Sequence, residues 1–398
     1  MAQILLGVSG GIAAYKACEI VRALVKRGDE VRVVMTDSAR EFVQPLTLQV
    51  LSENPVGVTT FDTTYEQEIG HIDLARWADA VLLAPATANL IGKLAHGLAD
   101  DLLTTVLLAT TAPVVVAPAM NTQMWFHPAV QANIETLRGR HLVVDPDQGE
   151  LACKEVGPGR LPDAEVLLQV LDRALAKPLL KGRRVLLTAG PTREYLDPAR
   201  FLSNPSTGKM GQALAQAAWA MGADVTLVRG PVDGPPPYGA RVIEVTTARN
   251  MHRVVMEEAA EMDFVAMVAA VADWRPAEES EQKTKKSEMG GAIELTRNPD
   301  ILAELGARFG VDGDEEGPTL IGFAAQTHDV LDEAKEKRRR KGAHMIVANR
   351  IGGPSSTFGA DRAEVHLITD DKTQSLPPAE KLAVAFEIWR AACALRSR

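Results

Sequence analysis

The stretch QILLGVSG, residues 3–10, decides the fold of the first half of the chain. It is a short apolar run that ends in a serine and a glycine, a pattern typical of a buried strand followed by a tight turn. The apolar residues that follow recur every three or four positions: Ala13, Ala17, Ile20 and Leu24. This spacing predicts one face of a helix, which Gly28 ends, and EVRVVMT (residues 30–36) is the next predicted strand.

The alternation of strand and helix continues along the first half. Three further apolar runs predict strands: DAVLLAPAT (79–87), APVVVAPAM (112–120) and HLVVDP (141–146). Continuous apolar strands separated by helices indicate a parallel sheet with helices on both faces. In such a sheet, ligands bind beyond the carboxyl ends of the strands, so the polar residues just after each strand are the candidates for a site.

The pattern restarts after a proline-containing basic connector, which predicts a domain boundary near residues 177–183. The second half has its own predicted strands: RRVLLTAG (183–190), ADVTLVRG (223–230), MDFVAMVAAVADW (262–274), TLIGFAAQT (319–327), HMIVANR (344–350) and AEVHLITD (363–370). GKMGQALAQAAWAMG (208–222) and PAEKLAVAFEIWRAACALRSR (378–398) are predicted helices. We therefore expect an α/β protein with two tandem Rossmann-like domains, residues 1–178 and 179–398.

Composition argues against several classes of function. The formal net charge of −9 gives no broad positive field for nucleic acid. No apolar run reaches the roughly 18 residues that span a membrane. The N-terminus lacks the basic and long apolar regions of a signal peptide. Three cysteines without a paired pattern favour a reducing, cytoplasmic location.

Hydroxyl, amide and glycine residues follow the predicted strands of the first half. Ser9, Gly10 and Gly11 begin a helix, where backbone N–H groups and the helix dipole can hold a phosphate. The others are Thr36, Ser38, Thr87, Asn89 and Asn121. Each residue is also compatible with a tight turn, a helix N-cap or an Asx-turn. Several such turns at successive strand ends favour a shared ligand crevice.

Cys153 lies in GELACKEVGPGR (149–160), a glycine-rich and charged stretch that is not a core helix. Cys18 and Cys393, by contrast, lie among apolar residues in helical patterns. We therefore predict a loop around Cys153. A thiol is suited to proton transfer near neutral pH, and the glycines give this loop the freedom to close as a lid. The alternative is a small apolar side chain packed under a loop.

Several longer motifs resemble known enzymes. Four motifs of the first half resemble the homo-oligomeric flavin-containing cysteine decarboxylases: GVSGGIAAYK (7–16), APATANLIGK (84–93), PAMNTQMW (118–125) and ACKEVGPGRL (152–161). Two motifs of the second half resemble phosphopantothenate–cysteine ligase: TAGPTREYLDPARFLSNPSTGKMG (188–211) and AAVADWRP (269–276). Nearly the whole chain therefore resembles the bacterial family of bifunctional phosphopantothenoylcysteine decarboxylase/phosphopantothenate–cysteine ligase proteins of coenzyme A biosynthesis.

For the first domain, the resemblance implies a flavodoxin-like sheet that holds FMN. The residues at the family's flavin positions are Ser9, Gly10, Gly11, Thr36, Ser38, Thr87 and Asn89. His71 matches the histidine of the oxidation and decarboxylation half of the reaction. Asn121 matches the residue that binds the substrate carboxylate, and Cys153 matches the proton donor of the final reduction. The alternative for His71 is an exposed histidine at a helix start.

For the second domain, the resemblance implies ligation through an acyl-cytidylate, with CTP as co-substrate and Mg2+ or Mn2+ bound largely by the phosphates. SNPSTGKMG (203–211) lacks the spacing of a Walker A loop, although its backbone can still bind phosphate. The matching residues are Asn204, Asp273, Lys283, Asn298, Pro299, Asp300, Ile301, Phe323, Lys337 and Lys341. A solvated lysine run or a basic helix face is the alternative for each lysine. Gln326 departs from the family, which usually has glutamate there.

The family's substrates are phosphopantothenate, cysteine, CTP and phosphopantothenoylcysteine. The resemblance also implies a homo-oligomer, with trimers formed by the first domain and dimers by the second. Three alternatives stay open. The chain binds flavin or a partner without turnover, or it is an NAD-dependent dehydrogenase, or one of its halves has decayed. The presence of His71, Asn121 and Cys153 favours an enzyme, and the absence of G-x-G-x-x-G disfavours a dehydrogenase.

Overall fold

The fold consists of two compact units. A computed structural model describes residues 1–59, 70–285, 292–326, 328–350 and 359–396. The units are Met1–Ala176 and Lys177–Arg398, called here the N-terminal and C-terminal units. Among the described residues, no helix is both long enough and apolar enough to cross a bilayer.

Six parallel strands form the sheet of the N-terminal unit. They are β1 (Gln3–Val8), β2 (Glu30–Met35), β3 (Val56–Gly57), β4 (Ala80–Ala86), β5 (Val114–Pro118) and β6 (Leu142–Val143). Their order across the sheet is β3-β2-β1-β4-β5-β6. The order reverses between β1 and β4, so the carboxyl ends of these two strands border the crevice at the switch point.

Helices cover this sheet. They are α1 (Ala17–Arg27), α2 (Asp37–Arg40), α3 (Pro45–Ser52), α4 (His71–Trp77), α5 (Ala88–His96), α6 (Leu102–Ala109), α7 (Thr122–Trp125), α8 (Pro128–Arg138) and α9 (Ala164–Leu175). The strands β4 and β5 are buried along their whole length, as the continuous apolar runs predict for a sheet covered on both faces.

Helix α1 differs slightly from its sequence prediction. The predicted apolar face begins at Ala13, but Ile12–Lys16 form a 3-10 helix in which Ala14 is the buried residue. A 3-10 helix has about three residues per turn, and this changes the face that each side chain occupies. The α-helix begins at Ala17 and ends at Gly28, whose φ of 92° is accessible to glycine without strain.

The stretch around Cys153 forms a hairpin rather than the predicted loop. Its strands are β7 (Asp147–Glu150) and β8 (Val156–Arg160), paired antiparallel. Gly159 has a φ of 149°, and a Cβ there would lie 2.1 Å from the Met120 carbonyl oxygen. Glycine thus lets β8 approach the loop after β5, and the Met120 N–H donates to the Gly159 carbonyl oxygen at 3.0 Å. Tertiary contacts hold these weak strand formers in place.

The C-terminal unit has an eight-stranded sheet. Its strands are β9 (Arg184–Ala189), β12 (Asp224–Arg229), β13 (Arg241–Glu244), β14 (Phe264–Met267), β17 (Thr319–Gln326), β18 (Met345–Arg350), β19 (Arg362–Ile368) and β20 (Thr373–Glu380). The order is β13-β12-β9-β14-β17-β18-β19-β20, and β19 runs antiparallel to both of its neighbours, β18 and β20. Two hairpins lie outside it: β10 (Arg193–Asp197) with β11 (Arg200–Ser203), and β15 (Trp274–Pro276) with β16 (Leu295–Arg297). The predicted tandem α/β architecture is confirmed.

Five helices pack on this second sheet. They are α10 (Lys209–Ala220), α11 (Ala248–Glu258), α12 (Ile301–Phe309), α13 (Val330–Arg340) and α14 (Lys381–Arg396). Trp389 anchors α14, because its buried indole N–H donates to the Leu214 carbonyl oxygen at 2.9 Å. The ring also packs edge-to-face on Phe264, with centroids 5.9 Å apart.

Two predictions in the C-terminal unit need correction. The strand predicted over 262–274 is limited to β14, because the Val268 and Ala269 N–H groups donate to the side-chain Oγ1 of Thr188, at 3.0 and 3.1 Å, instead of to backbone carbonyls of a neighbouring strand. The final helix begins at Lys381 rather than near Pro378, because the preceding residues complete β20.

Replacing either of two helical glycines by alanine is expected to change stability in opposite directions. A Cβ on Gly211 of α10 would lie 2.5 Å from Ala189 Cβ, whereas a Cβ on Gly92 of α5 would meet Asn133 Nδ2 at 3.6 Å. We expect Gly211→Ala to destabilise its unit by about 1–3 kcal/mol through overpacking. Gly92→Ala should stabilise its unit by about 0.5–1 kcal/mol, since alanine is the better helix former. Amide hydrogen exchange in the two helices measures both effects, and a shift of the same sign in both would contradict this packing.

Candidate functional site

Ser9 joins the loops that follow β1 and β4. Its side chain is buried, and its Oγ donates to the Pro85 carbonyl oxygen at 2.7 Å and accepts the Thr87 N–H at 2.9 Å. The Ser9 backbone N–H also donates to the Pro85 carbonyl oxygen, at 3.2 Å. A hydroxyl has one hydrogen to donate, so Ser9 has an acceptor lone pair but no donor left for a ligand.

The two glycines after Ser9 differ in the space around them. A Cβ on Gly10 would lie 2.3 Å from Ser38 Cβ and 2.5 Å from the Ser38 carbonyl carbon, so the loops after β1 and β2 are in direct contact. A Cβ on Gly11 would meet Thr87 Cγ2 at the ordinary distance of 3.5 Å. Gly10 is therefore needed for packing, while Gly11 leaves open space beside Thr87.

Three more predicted residues surround this space. Thr87 is the N-cap of α5, with its Oγ1 accepting the Leu90 N–H at 3.4 Å, and Asn89 is exposed in the first turn of that helix. Thr36 follows β2, and its Oγ1 is buried with no hydrogen-bond partner in the described part of the chain. Such a buried hydroxyl is uncommon and indicates that a polar group of another molecule completes the site.

These residues fit the predicted FMN. The loops after β1, β2 and β4 offer neutral hydroxyl and amide groups, and α5 directs its N-terminal N–H groups to the same edge of the sheet. Neutral donors at a helix N-terminus suit a phosphate, and the unpartnered Thr36 hydroxyl suits a polar atom of the cofactor.

Asn121 and Cys153 lie together, although 32 residues separate them. The Asn121 Nδ2 lies 3.4 Å from Cys153 Sγ and donates to Glu155 Oε2 at 2.7 Å. Asn121 Oδ1 accepts the Gln123 N–H at 2.8 Å, so the amide caps α7. The loop after β5 thus meets the turn of the β7–β8 hairpin.

The hairpin turn is short and held by its own backbone. The Leu151 N–H donates to the Glu155 carbonyl oxygen and the Lys154 N–H to the Leu151 carbonyl oxygen, both at 2.8 Å. Lys154 has a φ of 64°, which is uncommon for a residue other than glycine. Cys153 is exposed at this turn, so its thiol is accessible to a ligand on the sheet edge.

His71 lies on a separate element. It begins α4 directly after Gly70 and is half-buried. The preceding residues 60–69 are outside the described part of the chain. The structure thus brings Asn121 and Cys153 into contact, while His71 is at the helix start that the sequence predicts.

The C-terminal unit contains a cavity of about 1050 Å3 at the carboxyl edge of its sheet. Nine of the ten ligase residues expected from the sequence line it: Asn204, Asp273, Asn298, Pro299, Asp300, Ile301, Phe323, Lys337 and Lys341. Gln326 lines it as well. The exception is Lys283, which is exposed in a segment held by Thr284, whose N–H donates to Asp197 Oδ2 at 3.3 Å.

Two asparagines shape the wall of this cavity. Asn204 Nδ2 donates to the carbonyl oxygens of Ala270 and Val271 at 3.1 and 3.2 Å. Asn298 Nδ2 donates to the Ala272 carbonyl oxygen at 2.8 Å. Both amides therefore fix the loop after β14. The side-chain oxygen of Asn298 in turn accepts a hydrogen bond from Arg275 Nη1 at 3.1 Å.

Lys337 is a half-buried cation of the predicted set. Its Nζ donates to the Phe323 carbonyl oxygen at 2.8 Å. Burial lowers the pKa of Lys337, and the positive charge of Lys341 lowers it further. Burial also acts on Asp300, but hydrogen bonds from Lys341 and the Ala303 N–H keep its pKa below the usual value. The Asp300 carboxylate thus stays ionised beside Lys337.

Four further cations line the cavity outside the predicted set: Lys209, Arg297, Arg340 and Lys381. Lys209 lies in the STGKMG loop that was considered for its backbone alone, and its Nζ contacts Asp361 Oδ1 at 2.5 Å. Lys381 is 8 % exposed, and burial followed by the charge of Lys209 lowers its pKa. The sequence did not predict that Lys381 lines the cavity, because this lysine lies on a mainly apolar helix.

A dedicated metal centre is not visible in the described residues, which contain no group of three His, Cys, Asp or Glu side chains arranged to hold an ion. The chemistry of the cavity is instead cationic, with lysines from three segments around one space. Such a space is suited to a ligand with several phosphates.

Two family models match the chain. The model described as Flavoprotein matches residues 1–176, and the model described as DNA/pantothenate metabolism flavoprotein C-terminal domain matches residues 180–395. Together they cover both units.

Curated relatives match over almost their full length. The Coenzyme A biosynthesis bifunctional protein CoaBC of Vibrio cholerae serotype O1 is 48% identical over 97% of this chain and 96% of its own. The protein of the same name from Bacillus subtilis strain 168 is 46% identical over 99% and 97%. A crystal structure of the C-terminal domain of such a protein is 37% identical over 56% of this chain and 99% of its own, with a TM-score of 0.47.

The buried Lys381 yields a prediction for stability. Its folded-state pKa lies below the ordinary 10.5, so at neutral pH the folded unit carries an unfavourable buried charge at a helix N-terminus. Lys381→Met should therefore stabilise the ligand-free unit at pH 7. The gain should shrink as the pH rises toward 10.5, because the unfavourable charge is lost from the wild type.

Urea unfolding at several pH values, followed by hydrogen exchange in α14, measures this effect. The exposed Lys372 of the same unit provides the control Lys372→Met, which should change little. Destabilisation by Lys381→Met at every pH would show that its contacts outweigh its burial.

Proposed function

Because the chain belongs to the family of coenzyme A biosynthesis bifunctional proteins, we propose that it catalyses two successive reactions. Residues 179–398 join phosphopantothenate to cysteine with CTP as co-substrate. Residues 1–178 then decarboxylate the resulting phosphopantothenoylcysteine to phosphopantetheine with FMN. The contact between the Asn121 amide and the Cys153 thiol is the observation that supports this proposal most directly.

The proposed FMN site consists of Ser9, Gly10, Gly11, Thr36, Ser38, Thr87 and Asn89. When bound, a flavin supplies the two-electron oxidation of the substrate thiol and the later return of the same two electrons. The residues themselves orient the group. The buried Thr36 hydroxyl donates to it, and the open side of Gly11 lets it approach the backbone. The Flavoprotein family model over residues 1–176 supports this assignment.

Asn121 is proposed to bind the substrate carboxylate through its Nδ2 hydrogens. An amide orients a carboxylate without the strong attraction of a cation. This matters because the carboxylate leaves as CO2, and excessive ground-state stabilisation would raise the barrier. His71, half-buried at the start of α4, is assigned to the oxidation and decarboxylation half of the reaction.

Cys153 is proposed to donate the proton of the reduction step. Loss of CO2 from the oxidised, thioaldehyde-like substrate leaves its electron pair on the substrate as an enethiolate. The Cys153 thiol protonates the carbon that carried the carboxylate, which converts the enethiolate to a thioaldehyde. A hydride equivalent, which a bound flavin would supply, then reduces the sulfur-bearing carbon to give the thiolate. The exposed position of Cys153 beside the carboxylate-binding amide supports this role, since the protonated carbon is the one that carried the carboxylate.

In the ligase reaction, the phosphopantothenate carboxylate attacks the α-phosphorus of CTP and pyrophosphate leaves. The cysteine amine then attacks the acyl carbon and CMP leaves. Lys337 and Lys341 are proposed to neutralise the phosphates, and Asn204 to orient the acyl group. The contacts to base and ribose are assigned to Asp273, Asn298, Pro299, Asp300, Ile301 and Phe323. Lys283 is proposed to act from its exposed segment, and Mg2+ to accompany the phosphates of CTP.

One prediction of the proposed function separates the decarboxylase reaction from the ligase reaction. The full-length Cys153→Ser protein should bind flavin and release pyrophosphate from CTP at the wild-type rate. Its formation of phosphopantetheine should fall by about 100-fold or more, because a serine hydroxyl is a much weaker acid than a thiol. Visible absorption, pyrophosphate release and product analysis measure the three properties.

Two outcomes would contradict the proposal. A wild-type protein that binds no added FMN would contradict the decarboxylase assignment. A wild-type protein that decarboxylates supplied phosphopantothenoylcysteine but releases no pyrophosphate would contradict the ligase assignment, and Gln326→Glu would then test whether the missing charge is the cause.

Another prediction of the proposed function concerns Lys337 in the ligase cavity. Lys337→Met should raise KM for CTP by about tenfold or more, the size expected for a lost charge-assisted contact. Lys335→Met is the matched control, because Lys335 is on the same helix but exposed, 3.6 Å from Asp332. Equal KM values for the two variants would refute the assigned role of Lys337.

A further inference from the structure

The side-chain amide of Asn121 is fully occupied by protein groups. An asparagine has two Nδ2 hydrogens to donate. Nδ2 contacts two residues of one turn, donating to Glu155 Oε2 at 2.7 Å and lying 3.4 Å from Cys153 Sγ. The side-chain oxygen accepts the Gln123 N–H at 2.8 Å. A substrate carboxylate therefore finds no free hydrogen on this amide.

The group that occupies Nδ2 has the chemistry of the expected ligand. Glu155 is a carboxylate, and its 2.7 Å contact with an amide N–H is a charge-assisted hydrogen bond. Both partners are on the exposed side of the sheet edge, so the contact can open without disturbing the core. Glu155 has no role in the reaction steps described above.

We propose that Glu155 occupies the carboxylate subsite of the ligand-free decarboxylase domain and is exchanged for the substrate carboxylate on binding. This proposal rests on the decarboxylase function proposed above. Glu155 is then a specificity-determining and positioning residue, because it acts on the substrate through Asn121. A ligand must carry a carboxylate of its own to displace it.

The exchange also changes the environment of the thiol. Cys153 and Glu155 belong to the same turn, closed by the bond from the Leu151 N–H to the Glu155 carbonyl oxygen at 2.8 Å. When the substrate takes both Nδ2 hydrogens, the turn loses both of its contacts with Asn121. The thiol is released at the moment when a carboxylate-bearing substrate is in place.

The same contact distinguishes the substrate from the product. Phosphopantetheine has lost the carboxylate, so it has no group that competes with Glu155 for Asn121. Once CO2 has left, Glu155 returns to Nδ2 and closes the subsite. Glu155 thus weakens the binding of the substrate and leaves the binding of the product unchanged.

The test compares substrate and product on the full-length flavin-loaded protein. In Glu155→Ala, KM for phosphopantothenoylcysteine should fall by about fivefold, the effect of removing a partly solvated hydrogen bond to a charged group. The inhibition constant of phosphopantetheine should stay within about twofold of the wild type, since the product does not use Nδ2. Glu155→Gln, which keeps the shape but loses the charge, should give an intermediate KM.

Glu150→Gln is the matched control. Glu150 is exposed on β7 of the same hairpin, so this variant removes the same charge without touching Asn121. Its KM and inhibition constant should equal those of the wild type. A fall in KM with Glu150→Gln as large as with Glu155→Ala would assign the effect to general charge and refute the exchange.

Two results would overturn the proposal. If Glu155→Ala leaves KM unchanged or raises it while the wild type decarboxylates normally, the exchange is wrong and the decarboxylase function stands. If KM and the inhibition constant change by the same factor, Glu155 only supports the fold of the hairpin. A wild type that does not decarboxylate the substrate at all would overturn the proposed function as well.

Discussion

A hydroxyl beside the central strand holds the site-forming loops of each unit. In the N-terminal unit, Ser9 bridges to Pro85 and Thr87, in the segment at the end of the neighbouring strand β4. In the C-terminal unit, Thr188 near the end of β9 accepts the N–H groups of Val268 and Ala269, directly after the neighbouring strand β14. In each sheet these are the strands between which the order reverses, so a buried hydrogen bond keeps the crevice open and its walls in register.

The elements that depend on local periodicity were predictable from the sequence. The buried parallel strands follow from continuous apolar runs, and the end of α1 follows from Gly28. The secondary-structure predictions were wrong where a contact with a residue distant in sequence outweighs the local conformational preference. The β7–β8 hairpin forms because Gly159 lets its backbone reach Met120, and the strand predicted over 262–274 is interrupted because Thr188 captures its N–H groups. Neither partner can be identified from the pattern of its own segment.

The candidate sites show the same division. Residues after strand ends were identifiable one by one, because parallel strands direct their carboxyl ends to a single edge. The contacts among them were not, since the distance between Asn121 and Cys153 depends on a hairpin that the sequence analysis described as a loop. The contact between Glu155 and Asn121 could not be predicted for the same reason. Lys381 was missed because it lies on a mainly apolar helix, whose pattern indicates packing rather than ligand binding.

The charge of the chain explains why the C-terminal cavity collects buried lysines. With a net charge of −9, the molecule as a whole repels polyanions, so a phosphate-rich ligand must be held by local cations. Burial makes the charged forms of Lys337 and Lys381 unfavourable without a ligand, as their lowered pKa values indicate. The charge of Lys341 adds repulsion at Lys337, and that of Lys209 adds repulsion at Lys381. Asp300 and Asp361 offset part of this repulsion, and a polyphosphate would supply further negative charge. The ligand-free unit is therefore less stable than its packing allows, and the difference becomes available for selective binding of highly charged anions.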